Sequence, residues 1–159
     1  MRLPTEGGST LVELTVVIVL ASIVGLGLVA FYLNAQATWL DASAQAITQR
    51  EGTLLIADMS ANIRPGNRVQ LSNNPDAQHQ MIQVFDADNN ELYRYWWDSS
   101  DSLIHRRNHG VNLDPLGQSK VQQFALSGGA PLVQLTNLEM RSAHGQTVRF
   151  ATSFGIYNP

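Results

Sequence analysis

The sequence predicts an α+β protein, in which a long N-terminal transmembrane α-helix packs on a small antiparallel β-sheet head. Three observations carry that expectation. Leu14 to Leu33 is a run of twenty uncharged, mostly apolar residues, about the length a helix needs to cross the hydrocarbon core of a bilayer. From Asn34 to Ile63 there is no Pro and no Gly but Gly52, while apolar residues recur near helical spacing. Past Pro65-Gly66 the pattern changes to short alternating segments bounded by turn residues.

The helix is expected to begin near Thr10 and to run through the apolar stretch without stopping. Beyond it, Leu40, Ala44, Ile47, Leu54, Leu55, Met59 and Ile63 form the apolar stripe, with Thr38, Asp41, Ser43, Gln45, Gln49 and Arg50 filling much of the remainder. One face would then pack on a globular domain and the other meet water. Pro65 disfavours a helical residue before it and Gly66 permits the exit turn, so the helix should end near Ile63. At 1.5 Å per residue such a helix is roughly 80 Å long. Gly25 and Gly27 are either close-packing sites for neighbouring helices or places where the helix loosens.

The remainder reads as strands. Met81 to Phe85 and Glu91 to Trp97 flank the turn-rich Asp86-Ala87-Asp88-Asn89-Asn90, which suggests a hairpin. Asp98-Ser99-Ser100-Asp101 makes the next turn and Leu103 to Arg107 a third strand. After a loop holding Gly110, Pro115 and Gly117, further strands are expected at Lys120 to Leu126, Leu132 to Arg141 and Thr147 to Ile156. Gly66 to Gln80 is the most polar stretch and reads as loop. Alternation in Tyr93-Arg94-Tyr95-Trp96 and Thr147-Val148-Arg149-Phe150 fits a sheet covered on one side.

One residue breaks the apolar pattern at its edge. Glu13 stands at the start of the span, and a charge in hydrocarbon is costly and usually has a partner. Gly7-Gly8-Ser9-Thr10-Leu11-Val12-Glu13-Leu14, followed by the apolar run, resembles the N-terminal segment of type IV prepilins and type II secretion pseudopilins. The likeness covers about 25 residues of the chain. It implies a leader of residues 1–8 ending in Gly8, a mature chain beginning at Ser9, and Glu13 as the fifth-position acid used in filament assembly. Residues 9–33 would be the transmembrane and filament-core helix, 34–64 its amphipathic continuation and 65–159 the globular head. Ser9 stands where the family usually has Phe, and Ala30 where major pilins commonly have a helix-kinking Pro. The second departure argues for a minor subunit. Leu92-Tyr93-Arg94-Tyr95-Trp96 followed by Leu103-Ile104-His105-Arg106-Arg107 is similar, more loosely, to a hairpin of J-type minor pseudopilins and W-type or O-type minor pilins.

Cleavage after Gly8 would create an α-amino group at Ser9, with an ordinary pKa near 8 and so largely protonated. In a stack of parallel helices the amine of one subunit can sit beside Glu13 of its neighbour. Pairing offsets the desolvation each ion suffers, and a subunit out of register would leave both charges alone. The bland alternative is that Glu13 merely marks the headgroup boundary of a signal anchor. A secretory signal peptide fits less well, because the apolar stretch is too long and no A-x-A site follows it. Arg2 is the only base ahead of the span, a thin bias toward N-terminus inside.

The resemblance implies a subunit that is processed by a prepilin peptidase, held in the bacterial inner membrane with its head in the periplasm, and assembled into a pilus or pseudopilus, priming or capping its tip. Its partners would be other major and minor pilins or pseudopilins and the inner-membrane assembly platform. A permanently membrane-anchored periplasmic binding module, using the Trp96 and Trp97 region, is the alternative.

Composition narrows the chemistry. The 159 residues carry a net charge of −3 and no Cys, which gives no basic footprint for direct nucleic-acid binding and no disulfide or thiolate site. No enzyme activity and no cofactor are expected. His105 and His109 are four apart, but their segment reads as extended and no metal site is expected there. Asp86, Asp88, Asn90 and Glu91 begin like a calcium loop, yet Glu91 occupies the sixth position, where Gly is required, and Trp97 the twelfth, where Glu is. A solvated hairpin turn is the expectation. On a strand Tyr95 and Trp97 share one face and Trp96 the other, so core packing claims one side. Trp96 and Trp97 are the candidate subunit contact. Arg106-Arg107 reads as solvated strand charge or a subunit salt bridge.

Overall fold

The computed structural model describes residues 10–74 and 79–157. Helix α1 spans Leu11–Ile63, followed by strands β1 (Arg68–Asn74), β2 (His79–Phe85), β3 (Glu91–Asp98), β4 (Leu103–Asn108), β5 (Val111–Leu113), β6 (Lys120–Gly129), β7 (Leu132–Arg141) and β8 (Thr147–Gly155). The expected α+β class, a long apolar N-terminal helix with an antiparallel head, is what the structure shows.

Contacts divide the chain after Leu40 into two units. In the first, every described residue from 10 to 40 except Gly25 is exposed. In the second, α1 supplies a buried stripe of Ala44, Thr48, Gly52, Leu55, Met59 and Ile63. Their steps of three and four residues keep them on one helix face. The stripe departs from the expected one, because Ile47 and Leu54 are 58% and 47% exposed while Thr48 and Gly52 are buried. Thr48 can be buried because its hydroxyl donates to the Ala44 carbonyl (3.1 Å) and meets Ser119 Oγ (3.1 Å). Gly52 is required by close approach, since a Cβ there would lie 2.3 Å from the Phe150 ring. The helix ends as expected, with Gly66 N–H donating to the Ile63 carbonyl (3.1 Å) and Tyr157 N–H to the Arg64 carbonyl (3.0 Å).

The strands form two antiparallel sheets, β1-β2-β3-β4-β5 and β6-β7-β8. Both share one core with α1, built on Met59, Ile63, Ile82, Val84, Tyr95, Val133, Leu135, Leu138 and Phe154, all nearly inaccessible. At about 25 cal/mol per Å² of apolar surface, each such side chain contributes on the order of 1.5–3 kcal/mol. Burial alternates cleanly in β7, with Val133, Leu135, Leu138 and Met140 inward; the phase shifts by one residue at the bulge between Leu135 and Leu138. Bulges in β6 lie between Val121 and Gln123 and between Ala125 and Leu126.

Two short elements differ from expectation. Part of the stretch from Gly66 to Gln80, read as loop, forms β1 and the start of β2, paired from Arg68↔Phe85 to Asn74↔His79. Within this edge strand Val69 lies in the core and Leu71 packs against it. The loop around Gly110 holds the three-residue β5, which pairs with Arg106, Arg107 and Asn108. The hairpin turn before β3 is as expected: Asp86 accepts from the Asn90 backbone N–H (2.8 Å) and side-chain amide (3.0 Å), and Asn89 adopts φ 67°.

Candidate functional site

Gly8 and Ser9, the expected processing site, lie outside the described residues. Glu13 lies within them. Thr10 N–H donates to Glu13 Oε2 (3.0 Å) and Glu13 N–H donates to Thr10 Oγ1 (3.3 Å). This reciprocal pair is a capping box, which satisfies two of the donors a helix leaves open at its N-terminus. The spacing Thr10-x-x-Glu13 carries that signal in the sequence. The carboxylate also sits at the positive end of the helix dipole, which favours an acid there.

Beyond this cap the helix is apolar on all sides, with an 18-residue window of mean hydropathy 2.7 and none of that window buried. Its few hydroxyls are satisfied along the helix itself. Thr15 Oγ1 donates to the Leu11 and Val12 carbonyls (3.0 and 2.9 Å), and Ser22 Oγ to the Ile18 carbonyl (2.7 Å). Internal satisfaction is what a lipid environment demands of polar groups. An exposed apolar surface of this extent needs lipid or other helices around it.

In the head, the aromatic strand divides as expected. Tyr95 is 1% exposed and Trp97 packs against the core, while Trp96 lies on the other face. The two candidate contact residues therefore differ: Trp97 is committed mainly to its own core, and Trp96 stacks on His105 across the β3–β4 pair, ring centroids 5.3 Å apart and 20° between planes. Burial of Tyr95 is accompanied by a polar network. Its hydroxyl donates to Asp58 Oδ2 (2.8 Å) and accepts from Asn62 Nδ2 (2.7 Å), and Arg106 Nη1 reaches Asp58 Oδ1 (3.3 Å). Burial, with the Asp58 carboxylate adding to it, pushes the Tyr95 phenol well above its ordinary range. Arg106 thus has an intramolecular salt bridge, and Asp58 links helix to sheet. A cavity of about 150 Å³ adjoins this network, lined in part by Asp58, Asn62, Tyr95, Arg106 and Arg107.

A second helix-to-head link is Glu51, which accepts from the backbone N–H groups of Ser119 (2.9 Å) and Gln118 (3.2 Å). Partial burial pushes its carboxyl pKa up, but the Ser119 hydroxyl and these two N–H groups outweigh that and hold it below the usual value.

His105 and His109 do not come together as a pair. His109 meets the edge of the Tyr93 ring at 5.8 Å, whereas His105 Nε2 is 2.8 Å from Asp101 Oδ2. With Asp98 they form a group whose three donor atoms all lie within 4.8 Å of one another. The carboxylates the sequence did not place beside His105 come from the end of β3 and the turn after it, brought there by the pairing Trp96↔His105 and Asp98↔Leu103.

The chain is thus of a recognisable class: a helix long and apolar enough to cross a membrane, continuous with a small antiparallel β head. The single apolar helix supports membrane association. Comparison with protein-family models, curated proteins and solved structures finds no match.

Proposed function

We propose that this chain is a minor pilin or pseudopilin: a non-catalytic subunit processed after Gly8, inserted in the bacterial inner membrane with its head in the periplasm, and transferred into a type IV pilus or secretion pseudopilus, where it primes or caps the tip. The observation that carries this reading is the single helix Leu11–Ile63, bare and apolar over its first part and one-sidedly buried in the head over its second. A simple membrane anchor needs only the first part. A filament subunit needs both, because the bare part exchanges lipid for neighbouring helices while the head stays folded. Ile47 and Leu54, exposed on the head's own helix, offer apolar side chains that such neighbours would cover.

Glu13 has two states in this reading. In the lone subunit it caps its own helix; in the filament it would accept the α-amine of a neighbouring Ser9. The local bond limits the cost of holding the acid at the edge of hydrocarbon before that partner arrives. Partners are other pilins or pseudopilins, the prepilin peptidase and the assembly platform. The test is to shear surface filaments from cells producing the assembly machinery and probe them for this subunit. Wild type is expected in the filament fraction, and Glu13→Ala is expected to stay in the membrane, processed but unincorporated. Equal incorporation of both would overturn the role assigned to Glu13.

A further inference from the structure

We propose that Asp98, Asp101 and His105 form a binding site for a divalent first-row transition cation, Zn²⁺ in particular, on the outer face of the β3–β4 hairpin. The donor set is mixed: two carboxylates and an imidazole whose Nε2 faces them. An imidazole nitrogen with carboxylates suits zinc or its first-row neighbours, whereas calcium takes oxygen ligands alone.

Local contacts hold each ligand. Asp101 Oδ1 accepts from Leu103 N–H (2.9 Å), which turns Oδ2 toward His105. Asp98 Oδ1 accepts from Ser100 N–H (2.8 Å) and Oγ (2.6 Å). The Trp96 ring stacked on His105 fixes the plane of the imidazole. The nearby ammonium of Lys120 donates to the Asp101 backbone carbonyl (2.7 Å).

The donor atoms lie within 4.8 Å of one another; zinc at about 2.0–2.1 Å from each would draw them to roughly 3.3 Å. That closure asks for side-chain movements of about 1 Å, which partly exposed residues can make: His105 and Asp101 side chains are 25% and 38% accessible. The cation would replace the proton shared between His105 Nε2 and Asp101 Oδ2. Three protein ligands leave a further position for water, as in open zinc sites.

Trp96 supplies the readout. Untagged full-length protein in non-ionic detergent micelles is titrated with Co²⁺ while tryptophan fluorescence is followed, then with Zn²⁺ as competitor. Saturable quenching by Co²⁺, reversed by Zn²⁺ and absent in Trp96→Phe, is expected. His105→Gln and, separately, Asp98→Asn should weaken binding by about 10–100-fold, at least the loss seen on removing an outer partner of a metal ligand, with His109→Gln unchanged. Unaltered far-UV circular dichroism confirms that each variant is folded. No saturable quenching in the wild-type protein overturns the proposal, and so does quenching that survives in a folded His105→Gln protein.

Discussion

Residues 11–40 and 41–63 belong to one helix but follow opposite rules of burial. In the first segment Leu, Val and Ile lie exposed on every side. In the second, Thr48 and Gly52 are buried while Ile47 and Leu54 are exposed. Hydrophobicity alone therefore does not say which residues a helix buries; what stands opposite it does. The second segment meets Phe150 and Ser119, which demand a missing side chain and a hydroxyl. The first is exposed among the described residues, which fits a solvent other than water.

Substitutions should separate the two segments in order of size. Met59→Ala removes a side chain with no exposure from the shared core, and is expected to destabilise the head by about 2–5 kcal/mol, read from the midpoint of denaturant unfolding in micelles. Tyr95→Phe leaves Asp58 without its buried phenol donor; a loss of about 1–3 kcal/mol is expected, and a near-neutral result would show that the network does not tie helix to sheet. Glu51→Gln should cost about 1 kcal/mol, less than a fully buried charged bond because the site is partly solvated. Its folded pKa is depressed, so the native contribution is fully present above the unfolded value of about 4.3 and is lost as pH falls through the folded value. Wild type and Glu51→Gln should differ at pH 7 and converge in acid. Val19→Ala, in the bare segment, should change head stability by less than about 0.5 kcal/mol. A large effect there would mean the apolar segment has an intramolecular role that its exposure does not reveal.

The same contrast explains what was legible in the sequence. The helix and its end were readable because twenty uncharged residues and Pro65-Gly66 are local signals. Strand β7 was readable at both ends, Leu132–Arg141. Strand β1 was not, because Gln70, Ser72, Asn73 and Asn74 mask the alternation of Val69 and Leu71, and its partner is what makes it a strand. The buried role of Gly52 depends on Phe150, nearly a hundred residues away. The Asp98, Asp101 and His105 group depends on hairpin register and on a turn. Strand alternation puts Trp96 and Trp97 on opposite faces, and packing shows which face is the core's and that the other ring stacks on His105.

The central claim is that this helix begins life behind a cleaved leader. Intact mass and N-terminal sequencing of the protein recovered from the membranes of cells with an active prepilin peptidase test it most directly, with Gly8→Glu as the uncleaved control. The account expects a chain that begins at Ser9, and a full-length product for the control. A wild-type protein that keeps its eight-residue leader, Met1 to Gly8, would contradict it and leave a permanently anchored periplasmic binding module in its place.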